Sequence, residues 1–147
     1  MVCFLQARLH YGFQDQEMNP QRIFPSAAFF QPAAGEPVRS VITESQEAVV
    51  VAWHIGPGQR IAAHVHPHGQ DTWTILSGQG EYLLDATGAS RPIRAGDVVL
   101  AHTGCVHGVH NTGTEPLRLI SVVSPAQAGY ELAHEASVSQ SRTAFGT

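Results

Sequence analysis

Residues 58–78 read GQRIAAHVHPHGQDTWTILSG, and this stretch decides the fold of the chain. Two β-branched, apolar runs flank a turn of proline, histidine and glycine, which is typical of two consecutive strands. His64 and His66 are two positions apart, so on a strand their side chains lie on one face. Imidazole is the commonest metal-binding side chain, and the stretch therefore predicts a pair of metal-binding groups beside a turn.

A third ligand is expected after the turn, where Gln70 and Asp71 are both available. If Asp71 points inward, Trp73 and Ile75 point inward with it. If Gln70 points inward, two threonines are buried in their place. The first register buries more apolar area. Hydrophobic patterning therefore favours Asp71 as the ligand, and Gln70 stays as the backup ligand.

The surrounding sequence is patterned as short strands separated by glycine turns, and nothing between residues 48 and 124 is typical of an amphipathic helix. Even spacing of short strands favours a sandwich or a barrel, so we predict an all-β fold. The predicted strands are residues 48–53, 59–66, 72–77, 80–85, 97–101, 106–111 and 117–124.

A second histidine cluster lies about forty residues beyond the first, and contains Gly96, Gly104, His107 and Asn111. Two histidines with one residue between them, a carboxylate and a distant third histidine are what a single divalent cation needs. Strand parity places Cys105 on the face of His107 and places His110 on the opposite face.

The two clusters resemble the two sequence motifs of the cupin superfamily. Gly58-x5-His64-x-His66-x4-Asp71-x6-Gly78 is similar to the first motif, with Asp71 where the family pattern has glutamate. Gly96-x5-His102-x-Gly104-x2-His107-x3-Asn111 is similar to the second, with His102 where the pattern has proline. The resemblance covers about residues 48–124.

This resemblance implies a small antiparallel jelly-roll β-barrel, the double-stranded β-helix, with one divalent metal ion inside. The ion would be Fe, Mn, Ni, Zn or Cu, held by His64, His66, Asp71 and His107. Aspartate is shorter than glutamate by one methylene, a loss in reach of about 1.5 Å. Asp71 is therefore either a fourth ligand or lies beside a three-histidine site, where it holds a metal-bound water or acts as a catalytic base.

A barrel of this kind leaves open positions on one side of the ion, and a small chelating substrate fits such positions. We expect a cavity lined by Trp73, Ile75, Cys105 and Val109. The leading hypothesis is a metal-dependent dioxygenase acting on a small organic molecule. The alternatives are a redox-neutral isomerase, lyase or cyclase, and a metal- or small-molecule-binding module without catalysis, because one fold hosts many chemistries.

The composition of the chain and the positions of its prolines set the remaining expectations. The 147 residues suggest one domain, predicted as an extended N-terminal arm (1–45), a barrel (46–125) and a C-terminal tail (126–147) with a short helix at 130–137. A formal net charge of −4 without a basic run argues against nucleic acid or anionic membrane as a partner. No apolar run is long enough to span a bilayer, and the first eight residues do not resemble a secretory signal.

Two cysteines, Cys3 and Cys105, are too few and too far apart for a disulfide framework, so we expect a reduced, cytoplasmic protein. We also expect a homodimer, in which the N-terminal arm (1–45), which prolines interrupt, lies on the sheet edge of a neighbouring copy.

Overall fold

The computed structural model describes residues 21–134, which fold into ten strands in two antiparallel five-stranded sheets. The first sheet has the order β1-β2-β9-β4-β7 and the second has the order β10-β3-β8-β5-β6. The strands are β1 (Ser40–Glu44), β2 (Val49–Ile55), β3 (Arg60–Val65), β4 (Gln70–Ser77), β5 (Gln79–Leu83), β6 (Ser90–Arg94), β7 (Val98–Ala101), β8 (His107–His110), β9 (Leu117–Ser124) and β10 (Glu131–Leu132). The predicted all-β jelly-roll barrel is confirmed.

Alternating hydrophobicity explains how each sheet turns one face to the interior. Along β4, Asp71, Trp73 and Ile75 are buried, whereas Thr74 and Leu76 are exposed. The neighbouring β9 buries every second residue from Leu117 to Val123 in the same way. A one-residue shift would turn these apolar side chains to solvent, so the pattern fixes the register. The predicted inward orientation of Trp73 and Ile75 with Asp71 is confirmed.

The apolar core fills one end of the barrel and leaves the other end for a site. Burial of each large side chain stabilises the fold by about 1.5–3 kcal/mol. The motif glycine Gly78 lies where the chain turns against this end, with a φ of +79° and no room for a Cβ beside the Pro116 carbonyl. The core consists of Ile55, Ile61, Trp73, Ile75, Tyr82, Ile93, Val109, Leu117 and Leu119.

Three strands lie where none was predicted. β1 lies within the stretch 1–45 and pairs with β2, so the first sheet begins at Ser40 rather than near residue 48. β6 contains Pro92 and two arginines, a pattern unlike a central strand, but it is the edge strand of its sheet, where proline is tolerated. β10 pairs with β3 where the sequence suggested a helix at 130–137. That prediction is wrong over its described part, because the unpaired edge of β3 takes up the chain as a strand; residues 135–137 lie outside the described range.

Residues 21–39, which precede β1 in the described range, form no strand and contain a single 3₁₀ turn at Ser26–Ala28. The side-chain amide of Gln59 donates hydrogen bonds to the carbonyls of Ala33 and Gly35, which fastens this segment to the turn before β3. Over residues 21–134, no helix has the length and apolar character that a bilayer crossing requires. Cys3 lies outside the described residues.

Candidate metal centre

Four side chains converge between the two sheets at the open end of the barrel. His64 lies on β3, His66 directly after it, Asp71 on β4 and His107 at the start of β8, and all four are buried. Pairing of His64 with His107 across β3 and β8 brings the two ring centroids to 4.1 Å. One ligand atom from each residue lies within 4.8 Å of every other. The structure thus brings together the four residues predicted as ligands.

Each of the three imidazoles is oriented by a backbone carbonyl that faces its Nδ1 atom. An imidazole that donates its Nδ1 hydrogen to a carbonyl keeps an unprotonated lone pair on Nε2, which is the state a metal ion requires. The partners are Ala62 O for His64 at 2.7 Å, Gly129 O for His66 at 2.5 Å and Cys105 O for His107 at 3.0 Å.

The carboxylate of Asp71 is held by two hydrogen-bond donors on the barrel interior. Ser121 donates its hydroxyl hydrogen to Oδ1 at 2.6 Å, and Trp73 donates its indole N–H to Oδ2 at 2.8 Å. Oδ2 lies 3.3 Å from Nε2 of His107 and 3.6 Å from Nε2 of His66. The shorter reach of aspartate therefore does not keep Asp71 away from the cluster.

The chemistry of this donor set fits a divalent metal ion. With its Nδ1 hydrogen donated elsewhere, His107 directs an Nε2 lone pair at an Oδ2 lone pair of Asp71, which is unfavourable unless a cation or a proton lies between them. Ligands about 2.1 Å from one ion are about 3.0–3.4 Å apart, close to the separations of 3.3 and 3.6 Å found here. Three nitrogens and one oxygen suit Zn, Fe, Ni, Cu and Mn, and do not choose among them.

Burial and hydrogen bonding prepare two of the ligands for an ion at neutral pH. Burial, helped by the charge of His107, lowers the pKa of His64 to about 4, so this imidazole stays neutral. Burial raises the pKa of Asp71, but its contacts with His107 and His66 and the hydrogen bonds from Ser121 and Trp73 lower it more. Its pKa therefore lies below the usual range, and the carboxylate is ionised.

His66 behaves differently from His64. Burial lowers the pKa of His66, and the positive charge of Arg39 lowers it further. The hydrogen bonds to Asp71 and to the Gly129 carbonyl, together with the charge of Asp71, outweigh both, and the pKa of His66 is raised above its usual value. A proton therefore competes with a metal ion for Nε2 of His66 more strongly than for Nε2 of His64.

A cavity of about 650 Å³ opens directly beside the cluster. Its walls are mostly apolar, and its mouth carries the exposed side chains of Arg39, Gln127 and Tyr130. The ring of Tyr130 lies 4.8 Å from the ring of His64. The apolar wall is formed by Val49, Val51, Trp53, Ile61, Trp73 and Val123.

The predicted cavity lining is correct only for Trp73. Ile75 and Val109 are 1% and 0% exposed and belong to the core, because they lie one step further along their strands, inside the closed end. Cys105 is exposed, because it belongs to the turn before β8, where strand alternation has not begun. Gln70 is exposed on the opposite face of β4 and is not available as a ligand.

Sequence reasoning missed four residues that shape the site. Ser121 had a visible signal, since it is the polar residue on the inward face of the apolar strand β9. Arg39, Gly129 and Tyr130 had none, because they come from the segments on either side of the barrel that the strand pattern does not include. Of the motif residues, Asn111 has a structural role: its buried side chain donates to the Ile55 and Glu115 carbonyls.

The described geometry has clear counterparts among known proteins. A family model described as a cupin domain matches residues 51–123. A crystal structure of an uncharacterized conserved protein with a double-stranded β-helix domain from Klebsiella pneumoniae is 49% identical, with a TM-score of 0.75, over 79% of this chain and 100% of that chain.

Curated proteins that match part of this chain include two from bacteria. An oxalate-binding protein of Thermotoga maritima is 33% identical over 67 residues, covering 46% of this chain and 54% of that protein. The polyketide synthase CurC of Streptomyces cyaneus is 31% identical over 78 residues, covering 53% of this chain and 49% of that protein. The chain thus spans about half the length of these curated relatives. The matched domain model and the full-length likeness to the Klebsiella protein agree with the motif spacing, and the chain belongs to the cupin superfamily.

Proposed function

We propose that this protein is a metal-dependent enzyme of the dioxygenase type, acting on a small organic substrate that chelates through two oxygens. One observation carries the proposal: three members of the four-residue cluster, His64, His66 and Asp71, lie in the wall of an open, mostly apolar cavity. Protein ligands on one side of an ion leave its other positions free for exchange. A bound ion would supply Lewis acidity and, if redox-active, the means to use dioxygen.

The depressed pKa of Asp71 favours a ligand role over a role as general base. A base works best when its pKa lies near the working pH, and this carboxylate is far below it. Ser121 and Trp73 hold both oxygens of Asp71 and fix its direction. We therefore assign Asp71 to the ligand set, with the residues around it keeping the carboxylate ionised.

The apolar wall has its own part in the proposed reaction. The side chains of Val49, Val51 and Val123 offer no hydrogen bonds to water, so a bound substrate displaces poorly held water from this side of the cavity. A drier site strengthens every electrostatic contact that the cluster makes with the substrate. Replacement of an apolar methyl group by a hydroxyl, as in Val51→Thr, should therefore weaken substrate binding and leave metal content unchanged.

Oxygen uptake tests this proposal. The purified protein is loaded in turn with Fe(II), Mn(II), Ni(II) and Zn(II), metal content is measured, and oxygen consumption is followed with a panel of enediols, catechols and 1,2-dicarbonyl compounds. We expect uptake with a redox-active ion and none with His107→Ala. Absence of uptake across the panel, with one ion bound per chain, would count decisively against a dioxygenase.

A redox-neutral reaction is the second candidate, and the match to a polyketide synthase together with the apolar cavity favours it. In that case product forms under anaerobic conditions, and Zn(II) or Ni(II) serves as well as Fe(II). Stoichiometric ligand binding without any product would instead support a binding module.

A reducing, cytoplasmic location remains part of the proposal. It is supported by Cys105, a free and exposed thiol of the kind that persists where glutathione keeps cysteines reduced. Fractionation of cells producing a tagged protein tests it.

A further inference from the structure

Arg39 lies at the mouth of the cavity, on the same wall as the two tryptophans. It directly precedes Ser40, which pairs with Ala52, so continuation of this register places Arg39 across from Trp53. Both residues line the cavity. Arg39 comes from the segment before the barrel strands, and its position in the cavity wall is therefore a product of the pairing of β1 with β2.

The guanidinium of Arg39 has no acidic partner within residues 21–134, where the ion pairs found are those of Asp71 with His66 and His107. Among the described residues that line the cavity, it is also the lone arginine or lysine. Its positive charge acts on His66, so it lies within electrostatic reach of the cluster. An unpaired cation beside an apolar wall is a typical binding group for an anion.

The charges of the site point the same way. A divalent ion with one bound carboxylate keeps one positive charge, and Arg39 adds a second. The same cavity has a mostly apolar lining, and a small polar anion would leave most of its volume of about 650 Å³ filled with water. A ligand that suits all three features has a chelating end, an apolar body and an anionic end.

We propose that the substrate is a carboxylate with an aromatic or similarly apolar body, whose chelating oxygens lie at the four-residue cluster and whose carboxylate is bound by Arg39. This inference rests on the proposed function in that it needs an ion at the cluster. It does not depend on the reaction that follows, because it concerns binding alone.

Ligand binding to the Zn(II)-loaded protein tests the inference, since zinc permits chelation without oxygen chemistry. The chain has two tryptophans, Trp53 and Trp73, and both line the cavity, so intrinsic fluorescence reports on occupancy. The probes are 3,4-dihydroxybenzoate, which has a chelating end and a carboxylate, catechol, which has the chelating end alone, and oxalate, which lacks the apolar body. Calorimetry checks each affinity.

We expect the wild-type protein to bind 3,4-dihydroxybenzoate about tenfold more tightly than catechol, and more tightly than oxalate. The variant Arg39→Gln should reduce this preference to about twofold or less, with catechol affinity and zinc content unchanged. The control is Arg60→Gln, which removes another exposed arginine, on β3, that does not line the cavity.

Three outcomes would overturn the inference: a preference that survives Arg39→Gln, tighter binding of oxalate, or binding of none of the probes at millimolar concentration. The first two leave the dioxygenase proposal standing. Conversely, the wild-type protein could take up no oxygen and still prefer 3,4-dihydroxybenzoate over catechol in a way that depends on Arg39. That result would contradict the dioxygenase proposal and support the proposed substrate class.

Discussion

At the scale of single residues, the site depends on how each imidazole is anchored. Two anchors are local, because the carbonyls facing His64 and His107 lie two residues earlier in the chain. The anchor of His66 is distant, since Gly129 is 63 residues away. Local anchors form as soon as the strand does, whereas the third needs the C-terminal segment to reach the site. The cluster is therefore complete only in the folded barrel.

Removal of one imidazole should abolish stable metal binding. We expect His64→Ala and His107→Ala to lower zinc affinity by at least about 100-fold. Each variant removes a direct ligand and one of the imidazoles that surround the negative charge of Asp71. The control is His68→Ala, which changes an exposed histidine in the adjacent turn. Elemental analysis and chelator competition measure the effect, and equal metal content in all three variants would contradict the assignment.

Metal affinity should fall on mild acidification, and His66 is the reason. A protonated Nε2 cannot bind an ion, and the pKa of His66 is raised above its usual value of 6.5. As pH falls through this raised pKa towards 6.5, a proton displaces the ion from His66. His64, with a pKa of about 4, stays neutral in that window. Zinc affinity measured at several pH values should weaken with a slope near one proton, and a flat profile would refute the role of His66.

At the scale of strands, a β-bulge decides which side chains of β3 face inward. The pairing of β3 with β8 shifts by one residue between Ile61 and His64. Regular alternation would turn Ile61 outward whenever His64 points inward, yet both are buried. Gly108 lies opposite the bulge, where an added Cβ would come within 2.7 Å of the Ile61 carbonyl. The bulge thus lets one strand serve both the core and the site.

The C-terminal segment is the second element that the site depends on, and Gly129 tests it. Gly129 has a φ of +76°, and an added Cβ would lie 3.0 Å from the ring of Pro67. We expect Gly129→Ala to move the carbonyl that anchors His66 and to weaken zinc affinity by about tenfold. The backbone strain alone costs about 1–2 kcal/mol of unfolding free energy.

The matched control is Gly88→Ala, in the turn between β5 and β6. Gly88 has a φ of +97° with nothing within 4 Å of an added Cβ, so this variant carries the backbone strain and not the steric contact. Thermal unfolding should show both variants destabilised, while zinc titration should show a loss for Gly129→Ala alone. Equal zinc affinity of the two variants would show that the C-terminal segment does not contribute to metal binding.

At the scale of the whole molecule, the two sheets enclose a core at one end and a site at the other. Strands from both sheets supply the ligands, and the segments before β1 and after β9 supply the mouth of the cavity. The outer face of the first sheet is apolar near its β7 edge, where Val98 is 66% exposed and Leu100 is 44% exposed. Exposed apolar residues along a sheet edge favour association.

The homodimer expected from the sequence stays a prediction, and this face gives it a test. Light scattering should return twice the chain mass of 15.8 kDa for the native protein. Leu100→Glu should shift the mass towards the monomer, because it places a charge on the apolar face. Leu84→Glu is the control, since Leu84 is 46% exposed but lies beyond β5 of the second sheet. A native protein with the mass of a monomer would contradict the prediction.

The sequence by itself determined the class of fold and which residues form the candidate metal cluster. Alternation along β4 and β9 placed Asp71, Trp73 and Ile75 inward, and two-residue spacing placed His64 with His66, because strand periodicity is a local property. The edge strands β6 and β10 were not predicted, because pairing with a neighbouring strand stabilises them rather than their own composition.

Tertiary structure alone decided how the ligand set is completed and what surrounds it. Arg39, Gly129 and Tyr130 reach the cavity from opposite ends of the described chain, and no spacing in the sequence relates them to the histidines. Whether Ile75 and Val109 line the cavity or belong to the core likewise depends on how the two sheets close. Local patterning specifies which face of a strand is buried, but the closure of the barrel specifies which buried positions contact empty space and which contact one another.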